Sequence, residues 1–321
     1  MQFTQIPNPY APLGGPLTYA VEADATTDFD VRIIDNTLTE LYGAKRFSNV
    51  TSAEFDIAPY LRRALRFTPV AGHTGIYGGA RRVAPAVVQV TSSVTKQTVT
   101  APLRYFRPSD EKCTAPALLT SMPLVRLISE GACEELSLLT DGQQEITVGI
   151  EYCPHVTTET HVIPSGGLHI FRLNTADFPH ANRISVDAGP CGKVSYAIMK
   201  PVQGAVRLAW RSRCGSLEHY SFPIELTAGI EATRHEAYGP NGYTARTSCE
   251  QRRKLRSALE TREVLEALSE LVYTPEVWIV EGERYTPVEV VSDRAVFHHY
   301  DTMSYIEIII RPKTQSRLPW N

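Results

Sequence analysis

The stretch that decides the fold of this chain is TREVLEALSELV, residues 261–272. Its apolar residues recur at the spacing of one helix face, and charged residues, Glu270 among them, take the other face. Thr261 can accept a hydrogen bond from a free N–H of the first turn, and Glu263 places negative charge at the positive end of the helix. Thr274-Pro275 ends the helix, because proline disfavours helical geometry in the residue before it. The apolar stripe consists of Val264, Leu265, Leu268, Leu271 and Val272.

Strand-like segments flank this helix on both sides. Residues 252–259 precede it, and three segments rich in Val and Ile follow it at 277–280, 287–291 and 305–310. A helix of this length is marginal in water by itself, so its apolar stripe must pack against these strands. The sequence therefore predicts one packed α+β unit in this part of the chain.

Composition and charge are those of an ordinary globular protein. The chain has 321 residues, of which 43% are hydrophobic and 21% charged, and its formal net charge is -3. This charge provides no global basic field that would recruit nucleic acid or an anionic membrane. We identify no signal peptide and no apolar run long enough to span a bilayer. The even number of cysteines permits disulfides, but none forms a CxxC pair, and we predict reduced structural thiols.

Turn signals divide the chain into an N-terminal arm and three domains. Residues 1–15 hold too much Pro and Gly for a helix or a central strand, so they are either a disordered tail or an arm that lies on a neighbouring subunit. Short alternating segments predict a β domain at 16–112 and a β-sandwich domain at 113–200. An α+β domain follows at 201–321. The predicted fold class is mainly β, with two or three sandwich- or barrel-like domains and a single helix packed on a sheet in the last one.

Several segments carry more specific structural predictions. Pro59 can occupy the first turn of a short helix that carries Tyr60, Leu61 and Leu65 inward. Residues 72–79 form a glycine-rich loop, but the spacing of a phosphate-binding loop is missing. Residues 206–211 and 217–222 predict a hairpin, and residues 227–245 read as a loop.

Two groups of histidines could bind a metal ion, and each has a simpler interpretation. His155, His161 and His169 could hold zinc, but their spacing fits no compact ligand motif, so we predict surface histidines. His298 and His299 are neighbours, and neighbours on a strand point to opposite faces and cannot chelate one ion. We therefore predict no metal site.

Two acidic clusters could take part in hydrolysis. Glu218, His219 and Ser221 combine an acid, a base and a hydroxyl, but consecutive residues on a strand do not converge on one reacting atom. Glu134 and Glu135 could be the paired carboxylates of a glycosidase, which must face each other across a sugar. Sequence neighbours do not establish that geometry, and the simpler interpretation is a solvated turn. We predict no catalytic residue and no cofactor.

Basic and aromatic residues are the remaining candidates for a binding role. Arg62-Arg63, Arg81-Arg82 and residues 252–254 could contact nucleic acid, but subunit contacts or solubility explain them equally well. Trp and Tyr are enriched at interfaces, although core packing is the alternative, which we favour for Trp210 and Phe222. The predicted interface residues are Tyr10, Tyr220, Trp278, Tyr285, Arg252 and Arg253.

Three patches of the sequence resemble a known group of proteins. Residues 207–222 are similar to a W-x-N-x-x-G-x-x-x-x-x-x-F hairpin of virion proteins from tailed phages and prophages of the Bacteroidetes, with Ser212 in the place of the usual Asn. Residues 265–278 and 55–61 resemble further segments of the same group. The resemblance implies a structural protein of the phage particle, in the tail or baseplate, and offers no catalytic signature.

The functional expectation combines this resemblance with the lack of a catalytic motif. We expect a non-enzymatic virion component, assembled in the host cytoplasm, that forms a ring with copies of itself and contacts neighbouring virion proteins. We expect no membrane partner and no nucleic acid. A closed ring needs two different contact faces on each subunit. The alternatives are a β-sandwich module that binds carbohydrate or another surface, and a hydrolase.

Overall fold

The computed structural model describes residues 1–239, 242–296 and 302–313. Strands account for 55% of the chain and helical residues for 10%, which confirms the mainly β fold class. The described residues form four sheets. Two α-helices accompany them, α1 (Ala58–Ala64) and α2 (Arg262–Ser269).

The strands are numbered in chain order. They are β1 (Gln2–Gln5), β2 (Thr18–Ile34), β3 (Leu41–Asp56), β4 (Gly75–Gly78), β5 (Ala84–Ser92), β6 (Thr98–Thr100), β7 (Arg104–Phe106), β8 (Ala117–Leu119), β9 (Val125–Ser129), β10 (Cys133–Thr140), β11 (Gln144–Tyr152), β12 (His155–Ile163), β13 (Gly167–Asn174), β14 (Arg183–Asp187), β15 (Lys193–Met199), β16 (Val206–Arg211), β17 (Leu217–Phe222), β18 (Ile224–Gly239), β19 (Gly242–Arg256), β20 (Val277–Glu281), β21 (Arg284–Val290) and β22 (Glu307–Pro312).

The first domain is a six-stranded sheet built on the long hairpin β2–β3. β2 pairs with β3 on one side and with β1 and β5 on the other, and β6 and β7 pair with β5. Phe29 and Phe55 are buried in its core together with Leu61 of α1. Pro59 lies in the first turn of α1, as the sequence predicts, because its missing N–H has no helical partner there.

The second domain consists of two packed sheets. One has the order β4-β13-β10-β8, and the other has the order β12-β11-β14-β15-β9. The apolar residues that alternate along β11 and β14, such as Val148 and Ile184, meet Phe171 and Leu173 of β13 in one core. This arrangement buries one face of each sheet and leaves the outer face of the second sheet with smaller and more polar side chains.

The third domain is a seven-stranded sheet with α2 packed on it. Its order is β17-β16-β20-β21-β22-β19-β18. Trp210 and Phe222 are fully buried with Leu265 and Leu268 of α2, so the core position favoured for both aromatic residues is correct. The hairpin predicted at 206–222 is present as β16 and β17, with Val206 opposite Phe222.

The predicted helix is correct in its position and apolar stripe but not in two details. Thr261 is the N-cap residue, yet its side chain makes no capping hydrogen bond. Glu270 was assigned to the polar face, but it is buried because the chain tightens into a 3-10 turn at residues 270–272. Its carboxylate accepts a hydrogen bond from the Ser121 hydroxyl at 3.1 Å, which ties α2 to the segment before β9.

The N-terminal arm lies on its own chain. β1 pairs with β2, and Leu13 is buried in the core of the first domain. The backbone N–H of Leu13 donates to the Arg107 carbonyl at 2.9 Å, and the Arg62 Nε donates to the Leu13 carbonyl at 2.7 Å. The interpretation as a disordered tail is therefore wrong, and the contact with a neighbouring subunit stays a prediction.

The predicted boundary at residue 112 does not separate two independent sheets. β4 comes from the first predicted domain but pairs with β13, so that Ile76 lies opposite Phe171 in the second domain. Phe67, just before β4, packs in a separate cluster with Cys133 of the second domain and Trp278 of the third. The segment at 66–82 therefore joins all three domains.

The segment predicted as a loop at 227–245 is a long hairpin. β18 and β19 pair continuously from Ile224↔Arg256 to Gly239↔Gly242. The last pair of the hairpin, Gly239↔Gly242, marks its tip, and residues 239–242 read Gly-Pro-Asn-Gly in the sequence, a composition typical of turns. Alternating Ala, Thr and charged residues extend on both sides of this tip.

Two further observations concern the described residues. No helix among them is both long and apolar enough to cross a membrane. Cys113, Cys133, Cys153, Cys191 and Cys214 are free thiols.

Candidate functional site

The most concentrated set of charged groups in the described chain is buried between the second and third domains. We call it the junction network. Glu134 and Glu135 on β10 lie at its centre, and each is at most 2% exposed. The sequence interpretation of these two residues as a solvated turn is therefore wrong. The junction network consists of Glu134, Glu135, Glu218, His219, Arg82, Arg126, Arg172 and Arg207.

One half of the junction network is centred on Glu134. The Arg207 Nη2 lies 2.7 Å from Glu134 Oε1, and the Arg126 Nη1 lies 3.4 Å from Glu134 Oε2. The same Arg126 nitrogen is 3.2 Å from Glu218 Oε2. Arg126 thus bridges a carboxylate of the second domain and one of the third. Burial raises the pKa of Glu134, although Arg207 and Arg126 act in the opposite direction.

The other half is centred on Glu135 and fastens the linker before β4. The Glu135 carboxylate pairs with Arg82 and with Arg172 Nη1, the latter at 3.5 Å, and it accepts the Val70 N–H at 2.8 Å. The Nε atoms of Arg82 and Arg172 donate to the carbonyls of Thr68 and Gly72, each at 2.9 Å. Arg82, assigned from the sequence to a surface basic cluster, is completely buried, because it supplies the countercharge that Glu135 requires.

His219 lies between the two halves. Its Nε2 is 3.2 Å from the Tyr285 hydroxyl, and its Nδ1 is 3.9 Å from Glu134 Oε2. Burial lowers the pKa of His219 well below its usual range, and Arg207 and other nearby arginines lower it further. The imidazole is therefore neutral at physiological pH.

This geometry favours a structural role over an acid–base role. Glu134 lies near His219 and is joined to Glu218 through Arg126, because β10 faces β17 across the domain junction. Their carboxylates are engaged by arginine, and the side chains are almost completely buried. Glu134 and His219 also line the groove between β9 and α2. The ion pairs of the junction network fix the second domain on the third.

The predicted aromatic interface residues lie mostly inside the chain. Trp278 is 8% exposed and stacks on Phe67 at a centroid distance of 6.2 Å, so it packs within the chain. The Tyr285 hydroxyl contacts Arg172 at 3.4 Å within the junction network. Tyr10 is half-buried and stacks on Tyr105 at 6.1 Å. These three rings join parts of one chain.

Tyr220 and the two arginines lie closer to solvent. The Tyr220 hydroxyl donates to Glu260 Oε1 at 2.6 Å and lies at the wall of a groove beside α2. Arg253 pairs with Glu225 at 2.8 Å, and Arg252 pairs with Glu231 at 2.7 Å. Both arginines support the base of the hairpin β18–β19, and their charges are matched within the chain.

The histidines considered as metal ligands are not brought together in the described residues. His155 is exposed, whereas His161 packs edge-on against Phe171 at 5.4 Å. His169 contacts the Ser165 carbonyl at 2.9 Å. His298 and His299 lie outside the described residues. Among the residues that are described, no group of three or more His, Cys, Asp or Glu side chains could hold a metal ion.

The hairpin β18–β19 projects beyond the sheet that carries it. β22 pairs with β19 only between Arg253 and Arg256. From Gly229↔Arg252 to Gly239↔Gly242 the two strands therefore pair only with each other among the described residues. At the usual rise per strand residue this ribbon is ~35 Å long. Ile230, near its base, is 69% exposed.

Comparisons with known proteins give no family assignment. No protein-family model matches the chain, and no curated protein matches it. One similar solved structure carries the description "Structural insight into host cell surface retention of a 1.5-MDa bacterial ice-binding adhesin". It shares 9% sequence identity over 77% of this chain and 86% of that chain, with a TM-score of 0.16. A likeness of this size carries no argument about fold or function.

Proposed function

We propose that the chain is a non-enzymatic structural component of a phage particle, a ring protein of the tail or baseplate that acts through contacts between subunits. The observation that carries the proposal is the projecting hairpin β18–β19. A two-stranded ribbon is marginally stable by itself in water. A neighbouring subunit that packs on the ribbon provides the missing support.

The junction network supports the same function. Buried arginines and carboxylates hold the second domain, the third domain and the linker at 66–82 in one arrangement. Removing one member of a buried ion pair is costly, so such a junction resists bending. A rigid body with a projecting arm can present two different contact faces, as a closed ring needs. The resemblance of residues 207–222 to virion proteins is the reason for proposing that the assembly is a phage particle.

The hairpin can be shortened without changing the rest of the chain. Glu231 and Glu250 lie opposite each other, just as Gly239 and Gly242 do at the natural tip. Replacing residues 232–249 by Asn-Gly joins these two glutamates through a two-residue turn of the favoured type. Val94→Asp, at an exposed position in another turn, is the control.

Light scattering across a concentration series, with negative-stain images, tests the proposal. We expect a ring or another defined oligomer for the wild-type protein and for Val94→Asp, and a folded monomer for the shortened hairpin. A wild-type protein that is monomeric both alone and in purified particles contradicts the proposal. A glycan array separates it from the alternative of a carbohydrate-binding module, because a ring protein that acts only through subunit contacts binds no glycan there.

A further inference from the structure

β9 forms an open edge of the second domain. It is the last strand of the order β12-β11-β14-β15-β9, and β15 is its only strand partner among the described residues. Arg126 and Ile128 point inward and are buried, whereas Val125 and Leu127 point outward and are 76% and 65% exposed. Natural edge strands are usually protected by charged residues, proline or a covering element. The outward positions of β9 carry no charge.

A groove runs between this edge and the third domain. It has a volume of about 560 Å³. The apolar side chains of Leu124, Val125 and Leu127 form one wall, and Tyr220 and Val264 belong to the other. The volume lies within the range of ~300–1,000 Å³ that is typical of ligand pockets.

The charges of the groove define what kind of segment fits. Glu260 and Glu263 lie at the rim on the α2 side. Arg126 is the one cation among the lining residues, and it is buried and paired with Glu134 and Glu218. The first turn of α2 favours an anion through its dipole, but Glu263 already occupies that turn. The exposed charge of the rim is therefore negative.

We propose that β9 binds an extended segment of a partner protein that adds a strand to the sheet and carries apolar residues alternating with Lys or Arg. Backbone hydrogen bonds to β9 hold such a strand, and alternate side chains enter the apolar groove. The basic side chains lie toward Glu260 and Glu263. This inference deepens the proposed function and rests on it in one respect, namely that the protein acts through contacts with other chains.

A display selection tests the inference without knowledge of the natural partner. The full-length protein is labelled and used to select from a yeast-displayed library of random short peptides. We expect enriched peptides with alternating apolar and basic residues. Synthetic copies should bind the wild-type protein, and N-methylation of alternate backbone amides should weaken binding at least tenfold, because it removes the hydrogen bonds to the edge of β9.

Variants locate the site. Leu127→Asp and Val125→Asp should each weaken binding of the selected peptides at least tenfold, whereas Val94→Asp, an equally exposed apolar position, should not. Circular dichroism and the urea midpoint show whether each variant is folded. Because two positions on β9 are substituted, the test still works if one of the two variants does not fold. A library that yields no binder, or binders that tolerate Leu127→Asp, overturns the inference.

Two further outcomes remain distinct from these. If the wild-type protein forms a dimer that Leu127→Asp alone abolishes, the occupant is a second copy, and the proposal of a separate basic partner is wrong. The protein with the shortened hairpin keeps the groove. It should therefore bind the selected peptides as the wild-type protein does. A wild-type protein that forms no ring but binds these peptides contradicts the ring proposal alone, and a ring-forming protein that binds none contradicts this inference alone.

Discussion

The guanidinium of Arg207 on β16 lies 2.7 Å from the carboxylate of Glu134 on β10, and this contact crosses from the third domain to the second. Both side chains are largely shielded from solvent, since the Arg207 side chain is 11% exposed and that of Glu134 is 2% exposed. Buried pairs of this kind add little net stability relative to apolar residues, but they are costly to break. The contact between the second and third domains therefore depends on every charged residue of the junction network.

Arg207→Met removes one partner and leaves Glu134 with Arg126 alone. We expect the free energy of unfolding to fall by about 3 kcal/mol, the lower end of the range for a broken buried pair, because Arg126 still compensates part of the charge. Urea denaturation measures this change. Arg46→Met is the matched control, because the Arg46–Asp28 pair at 3.0 Å is exposed, and its urea midpoint should stay almost unchanged. Equal effects of the two substitutions would contradict the prediction.

Stability should decrease on mild acidification because of His219. Its pKa in the folded protein is well below 6.5, the usual value. As the pH falls below about 6.5, the unfolded chain binds a proton at this residue while the folded protein does not, so the free energy of unfolding falls. The His219 contribution is complete above that pH and is lost as the pH decreases.

His219→Gln isolates this effect, because the other titrating groups remain. Between about pH 7.5 and about pH 5, a range that brackets the usual histidine pKa of about 6.5, the unfolding free energy of the variant should decrease less than that of the wild-type protein. Urea denaturation at several pH values gives both curves. His155→Gln, at an exposed position, should keep the wild-type slope. Parallel curves for wild type and His219→Gln would show that the histidine titrates alike in the folded and unfolded states.

The ring of Phe67 holds the linker between domains. It stacks on Trp278, and the guanidinium carbon of Arg82 lies 4.3 Å from its centroid. Phe67→Ala leaves a cavity at this junction and should lower the free energy of unfolding by about 3–5 kcal/mol. Limited proteolysis should then cut within residues 66–74 earlier than in the wild-type protein. Phe67→Leu, which keeps most of the volume, should remain resistant. Unchanged cleavage in Phe67→Ala would show that the linker is held by its ion pairs alone.

Gly78 and Gly79 are neighbours that should respond oppositely to a methyl group. A Cβ on Gly79 would collide with the backbone carbonyl of Leu168, whereas a Cβ on Gly78 meets nothing. Gly79→Ala should therefore lower the free energy of unfolding by about 1–3 kcal/mol, as overpacking does. Gly78→Ala is the control and should keep the wild-type midpoint in thermal unfolding. The prediction fails if both variants melt at the wild-type temperature.

Local features of the fold were accessible from the sequence. The apolar stripe that includes Leu265 and Leu268 predicted α2, and the apolar alternation around Trp210 predicted the hairpin β16–β17. Both patterns can be read within a few consecutive residues. The hairpin β18–β19 was missed because its strands carry Ala, Thr and charged residues instead of a clear apolar alternation. Only its tip residues gave a strong local signal.

The junction network could not be predicted from local patterns. Glu134 finds its partners Arg126 and Arg207 on different elements, and only the folded chain brings them together. One signal was present nonetheless. Glu134 and Glu135 stand in CEELSLLT, residues 133–140, a strand with an otherwise apolar character. Charged residues are almost never fully buried unless they are paired, so such a strand indicates buried partners elsewhere.

The pairing of β4 with β13 has a consequence for how this protein can be inherited and made. Residues 75–78 pair with β13 (Gly167–Asn174), which lies roughly ninety residues later, and such a long loop closure slows folding. β4 can therefore pair only after the ribosome has synthesised β13 of the second domain. Recombination that exchanged the first domain as a block would remove this edge strand from the second, so we expect the two domains to be inherited together.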